Sequence, residues 1–215
     1  MVKVWDGFIR GFHWLLVIGI AVLYISGDEG WLDLHFVTGY MLLALMVTRI
    51  IWGVFGSSTA RLSSLFHSPK AIISALLKDQ PATGHNPAGS VMILVFFTLI
   101  FIQLFSGLMS SDDILVEGPL VQYVSYAWVE LANDLHRDNI DLLLLAIGLH
   151  IFAILFYRIK GKKLVKTLVT GYSSDAADKP HMRSGKFAYM LFIVLATALL
   201  FLWGQEPLMA LLNVG

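Results

Sequence analysis

The sequence predicts an all-α fold, an integral membrane helix bundle with five transmembrane helices. Three observations carry that expectation. The 215 residues are 57% hydrophobic and only 14% charged, with a mean hydropathy of +0.75, whereas a water-soluble domain of this length needs far more polar surface. Five apolar stretches are each long enough to cross a hydrocarbon core. The basic residues between them fall almost all on one side, although the formal net charge is zero.

A span needs about 20 mainly apolar residues at a rise of about 1.5 Å each. The first candidate covers Phe12–Ser26; it is short by count, and Ile9 and Trp5 extend it. The others cover Leu34–Phe55, Gly89–Met109, His136–Tyr157 and Phe187–Trp203. The first run has no small-residue cleavage site after it and reads as a retained helix rather than a removed signal. Trp5, Trp31, Trp52 and Trp203 fall near span ends, as an aromatic belt would have it.

Orientation follows from the loops. Lys3, Arg10, Arg49, Arg61, Lys70, Lys78 and the run from Arg158 to Lys186 all fall on one side; of the fifteen basic residues only Arg137 falls on the other. Asp28, Glu29, Asp33, Asp112, Asp113, Glu117, Glu130 and Asp134 lie on that second side. The positive-inside rule makes the basic side cytoplasmic, with the N-terminus inside and the C-terminus outside. Gly161–Thr170 mixes lysines with Leu164, Val165, Leu168 and Val169, which suits a short helix on the inner membrane surface. Pro119–Leu135 reads as a segment lying flat at the outer interface, with ordinary loop as the plainer alternative for both. The zero net charge argues against nucleic acid as a partner. The absence of cysteine removes disulfides, iron–sulfur clusters and covalent haem attachment.

Four of seven histidines lie in the spans, where an ionisable side chain is costly and points to function. His13 is near the inner end of the first span, and His35 near the outer end of the second. His136 opens the fourth span outside, and His150 follows fourteen residues later inside. Fourteen residues at about 100° each come within about 40° of four full turns, so His136 and His150 share a helix face about 21 Å apart. Each level then has a further histidine from another helix, His35 outside and His13 inside. Two histidines at one depth can hold one haem iron from both sides, a six-coordinate site suited to electron transfer. Two such sites, holding two non-covalent haem b groups, make a transmembrane wire. Interhelical hydrogen bonding by the histidines is the alternative; zinc is a weaker rival, since two histidines per level make a poor zinc site. His67, His85 and His181 fall in inner loops and read as solvated.

Gly19, Gly39, Gly107 and Gly148 could let a porphyrin approach a helix backbone, or could serve helix packing alone. Haem propionates need cations near the headgroups. Arg10, Arg49 and Arg158 are available inside, and Arg137, beside His136, outside.

Arg10 with His13-Trp14, His35-x-x-x-Gly39, Arg49-x-x-Trp52-Gly53, Gly84-His85-Asn86-Pro87-Ala88-Gly89, and the pair His136 and His150 occur in that order. The pattern resembles the bacterial cytochrome b561 family. It is most similar to the di-haem branch that includes the membrane subunits of nickel–iron hydrogenases and the gamma subunit of formate dehydrogenase. The resemblance covers roughly residues 8–172 and implies a four-helix haem-binding core over residues 1–172, with 173–215 adding a linker and a fifth helix. It also implies that Asn86 lines a quinone site near the inner haem. The expected function is transfer of electrons across a bacterial inner membrane between the quinone pool and a redox partner protein. That partner would be a periplasmic c-type cytochrome or a hydrogenase or dehydrogenase subunit. A haem-free anchor or transporter-like subunit is the alternative from another class.

Overall fold

Asp6 opens the first helix: its carboxylate accepts the Ile9 N–H at 2.8 Å, satisfying a backbone donor that the first turn leaves bare. From there a computed structural model describes residues 1–77, 83–112, 116–174, 176 and 178–213. In chain order the elements are β1 (Val2–Lys3), α1 (Gly7–Asp28), α2 (Leu32–Phe55), α3 (Pro69–Leu77), α4 (Pro87–Met109), α5 (Tyr126–Ile159), α6 (Leu164–Thr170), β2 (Tyr172–Ser173), α7 (Lys186–Trp203) and α8 (Gln205–Asn213). The fold is all-α apart from one short strand pair. The five helices α1, α2, α4, α5 and α7 are long and apolar enough to cross a membrane. Large exposed apolar side chains along them, such as Ile18, Ile25, Phe152, Leu155 and Phe201, are costly in water and suit a lipid surround.

The expected spans recur with one or more residues added at their ends, except at Phe55, Met109 and Trp203, which end their helices as expected. The fourth differs in kind. Tyr126–Leu135 does not lie apart as a flat interfacial segment; it forms the first turns of α5, a single 34-residue helix. At about 1.5 Å per residue that helix is roughly 50 Å long and overshoots a hydrocarbon core of about 30 Å. No proline or glycine interrupts Tyr126–Asp141, so nothing stops the helix from continuing past the apolar stretch. The short helix expected within Gly161–Thr170 is present as α6, whereas α3 and α8 arise in stretches that carry no helix expectation. Lys78 and Asp113, counted among the loop charges, lie outside the described residues.

The chain divides into two compact units, residues 1–87 with 165–215, and residues 88–164. In the first, α1 and α2 are joined by three residues and so run antiparallel. Helix α7 packs on both, and α8 folds back against α2. The Tyr189 hydroxyl donates to the Gly7 carbonyl at 2.9 Å, and its ring meets Phe8 edge-on at 5.4 Å. The N-terminal strand is pinned as well: β1 pairs antiparallel with β2, and Val4 N–H donates to the Gly171 carbonyl at 2.8 Å. Arg183 closes the far end of α2 by donating to the Phe55 carbonyl at 2.6 Å, a cation placed where the helix dipole favours one. The second unit is built on α4 and α5.

Candidate functional site

In the first unit the spans bring two histidines to two depths. His35, in the first turn of α2, reaches across to α1, where its Nδ1 lies 3.0 Å from the Leu23 carbonyl and 3.3 Å from Ser26 Oγ. A carbonyl only accepts, so Nδ1 carries the proton and Nε2 carries the lone pair that a metal needs. His13 sits ten residues before Leu23 on α1, about 15 Å lower along the helix. Its ring meets Trp14 edge-on at 5.3 Å.

The second unit repeats the arrangement. His136 Nδ1 lies 2.9 Å from the Gln103 carbonyl and 3.2 Å from Ser106 Oγ, again a backbone acceptor with a serine beside it. An amide pair backs this ring. Gln103 Nε2 donates to the His136 carbonyl at 2.9 Å, while Asn139 Nδ2 donates to Gln103 Oε1 at 2.8 Å and to the Leu99 carbonyl at 2.9 Å. His150, four turns along the same helix, meets Phe96 edge-on at 5.6 Å. All four rings are half-buried.

Two glycines make room for these rings. A Cβ at Gly107 would stand 2.8 Å from His136 Cε1, and one at Gly27 would stand 3.3 Å from the His35 ring. Gly107 therefore serves the histidine itself, and Gly19 serves packing, since its Cβ would meet Leu42 Cδ1 at 2.7 Å. The Gly39 and Gly148 positions are open by comparison, with nothing closer than 3.9 Å.

The basic residues are distributed unequally. Arg10 donates through Nη1 to the Val169 carbonyl at 2.6 Å, capping α6, while its Nε is buried without a hydrogen-bond partner among the described residues. Arg49 is 3% exposed and lies with its guanidinium carbon 5.8 Å from the Phe12 ring centre. Arg158 is exposed in the last turn of α5. Arg137 is exposed and bonds Asp134 at 2.6 Å and Asp138 at 3.3 Å, so this cation is engaged by two acids. Asn86 is half-buried just before α4.

Two sequence expectations change here. His85 is not a solvated loop residue: its ring packs 4.5 Å from that of Trp5, and burial, then the nearby Arg49 cation, push its pKa down to about 3. Trp5 and Trp52 do not form part of an interfacial belt, being 7% and 3% exposed. Trp52 instead donates through Nε1 to Asp6 at 3.1 Å. The polar supports Ser26, Gln103, Ser106 and Asn139 were not anticipated. Gln103 carries a usable signal as an amide about four turns into an apolar stretch, and Asn139 as an amide three residues after His136 on the same helix face.

These groups fit a haem. A haem iron brings four ring nitrogens and asks the protein for one or two more donors, which histidines oriented through Nδ1 supply. A bare metal ion would need a richer set, and among the described residues no group of three or more His, Cys, Asp or Glu could hold one. The buried Arg10 Nε is the kind of donor that a carboxylate takes.

Five membrane-length apolar helices with histidines held on them are the scaffold that a membrane-embedded b-type cytochrome requires. A family model described as prokaryotic cytochrome b561 matches residues 4–171, and the chain belongs to that family. It is thus a multi-pass membrane protein that binds b-type haem and transfers electrons. No curated protein and no solved structure matches it.

Proposed function

We propose that the chain carries electrons across a bacterial inner membrane through two bis-histidine haems, between the quinone pool and a redox partner protein. The observation that carries this reading is the shared anchoring of His35 and His136, each held through Nδ1 by a backbone carbonyl with a serine at its side. His35 and His136 are the ligands of the outer haem, and His13 and His150 those of the inner one, as their depths in the sequence suggest. Bound haem supplies one-electron chemistry; the protein holds the iron, orients the ligands and excludes water. Arg10, Arg49 and Arg158 serve the inner propionates. Arg137 serves the outer ones by exchanging a carboxylate partner, and Asn86 lines a quinone pocket at the inner level. Residues 1–172 form the haem-binding core and 173–215 brace it, with the N-terminus cytoplasmic and the C-terminus periplasmic.

The test is a pyridine haemochrome assay with a reduced-minus-oxidised spectrum. Two haems b per chain are expected. His35→Ala or His136→Ala should each remove one, and His13→Ala or His150→Ala the other. One haem per chain, or loss of the same haem from His136→Ala and His150→Ala, refutes the pairing. A flat difference spectrum would favour the haem-free anchor.

A further inference from the structure

Asp6 is an acid kept from water. It is 1% exposed, and its carboxylate accepts the Ile9 N–H at 2.8 Å and the Trp52 indole N–H at 3.1 Å. Two neutral hydrogen bonds soften a buried charge without cancelling it. In electrostatic reach of Asp6 is Arg49, one helical turn before Trp52 on α2 and 3% exposed. Arg49 rests against Phe12, the residue before His13. Phe8 ties the same corner together, with its ring 6.2 Å from Phe12 and 6.0 Å from Trp52. A hydrogen-bonded carboxylate and a buried guanidinium thus lie where the first turns of α1, which carry His13, meet the last turns of α2.

We infer that Asp6 is a positioning residue for the haem held by His13, fixing Arg49 in place and setting, against Arg49, the charge that the iron feels. The inference rests on the proposed ligation by His13. Oxidised haem carries one more positive charge than reduced haem. A nearby carboxylate therefore favours the oxidised form, and a nearby guanidinium favours the reduced form. Inside a protein the effective dielectric is far below that of water, so neither field is screened away. As a pair they largely offset; deleting one leaves the other acting alone.

The test is a spectroscopic redox titration of the haem-loaded protein in detergent. Asp6→Asn keeps a good N-cap for α1 and deletes the charge. It should raise the midpoint of the haem that His13→Ala removes, increasing the reduced-to-oxidised ratio at fixed potential at least threefold; tenfold would correspond to 59 mV for one electron. Arg49→Gln should move the same midpoint down. Trp52→Phe removes a hydrogen bond to Asp6 and leaves the charge, so it should lower thermal stability with little shift. An unmoved or lowered midpoint in Asp6→Asn, with one haem lost in His13→Ala, overturns this inference alone. Should Asp6→Asn fail to fold, an unmoved or raised midpoint in Arg49→Gln overturns it equally. Retention of both haems in His13→Ala overturns the ligation reading and this inference with it.

Discussion

Replacing Gly107 by alanine would place a methyl carbon 2.8 Å from His136 Cε1 and 3.2 Å from Nδ1. Non-bonded carbons settle at about 3.5–4.0 Å, so the ring must retreat by roughly 1 Å. It has little freedom to do so, because Nδ1 is held at 2.9 Å by the Gln103 carbonyl, and a retreat of that size takes the bond past about 3.5 Å. Overpacking costs about 1–3 kcal/mol and the lost hydrogen bond about 1 kcal/mol. Together they weaken haem binding at His136 by roughly 30- to 1,000-fold. In a haemochrome assay the stoichiometry of Gly107→Ala should fall from two towards one, with the haem dependent on His13 spared. Gly27→Ala, whose Cβ meets the His35 ring at 3.3 Å, should weaken the same haem less. Gly19→Ala is the control, since its Cβ would crowd Leu42 Cδ1 at 2.7 Å and no histidine. A full haem complement in Gly107→Ala would refute the reasoning, and equal haem loss in Gly19→Ala would reduce it to general packing.

Other outcomes follow from the same geometry. Asn86→Leu should slow haem reduction by a quinol while leaving both haem spectra intact; unaltered stopped-flow kinetics would move the quinone site elsewhere. Arg137→Ala should lower the midpoint of the haem at His136, by a modest amount because Arg137 is exposed and shared with Asp134 and Asp138; an unchanged midpoint removes it from a propionate role. The acidic outer loops should favour a basic periplasmic carrier, with an on-rate that falls as salt rises; equal rates for acidic and basic carriers in oriented vesicles would end that expectation. His85 takes up a proton in the unfolded chain near pH 6.5 and in the folded chain only near about 3. Stability should therefore fall as the pH drops through that window. His85→Phe, which keeps a ring against Trp5, should flatten the dependence of thermal stability on pH between 6.5 and 4, and an identical slope would refute the assignment.

Much was legible from the chain alone. Span number, approximate ends and the pairing of His136 with His150 on one face depend on hydropathy and helical period, both of which are local. The same holds for the family, which rests on residues in sequence order. The supports of the histidines were not legible, because each joins residues distant in the chain. His35 is held by the carbonyl of Leu23, a group that every residue possesses and no sequence pattern marks. Gly107 reads from sequence as room for a porphyrin or for helix packing, whereas the His136 ring occupies the space of its missing Cβ. His85 reads as solvated because it lies in a loop, yet the Val4 and Trp5 N–H bonds to the Gly171 carbonyl hold Trp5 where its ring packs on His85. Asp6 read as nothing in particular, since local sequence reveals a helix cap but not the burial that turns the cap into a charge in electrostatic reach of Arg49. Periodicity and hydropathy are sums over neighbours in the chain and determine which helices exist; burial and hydrogen-bond partners are properties of neighbours in space, and only the tertiary structure decides them.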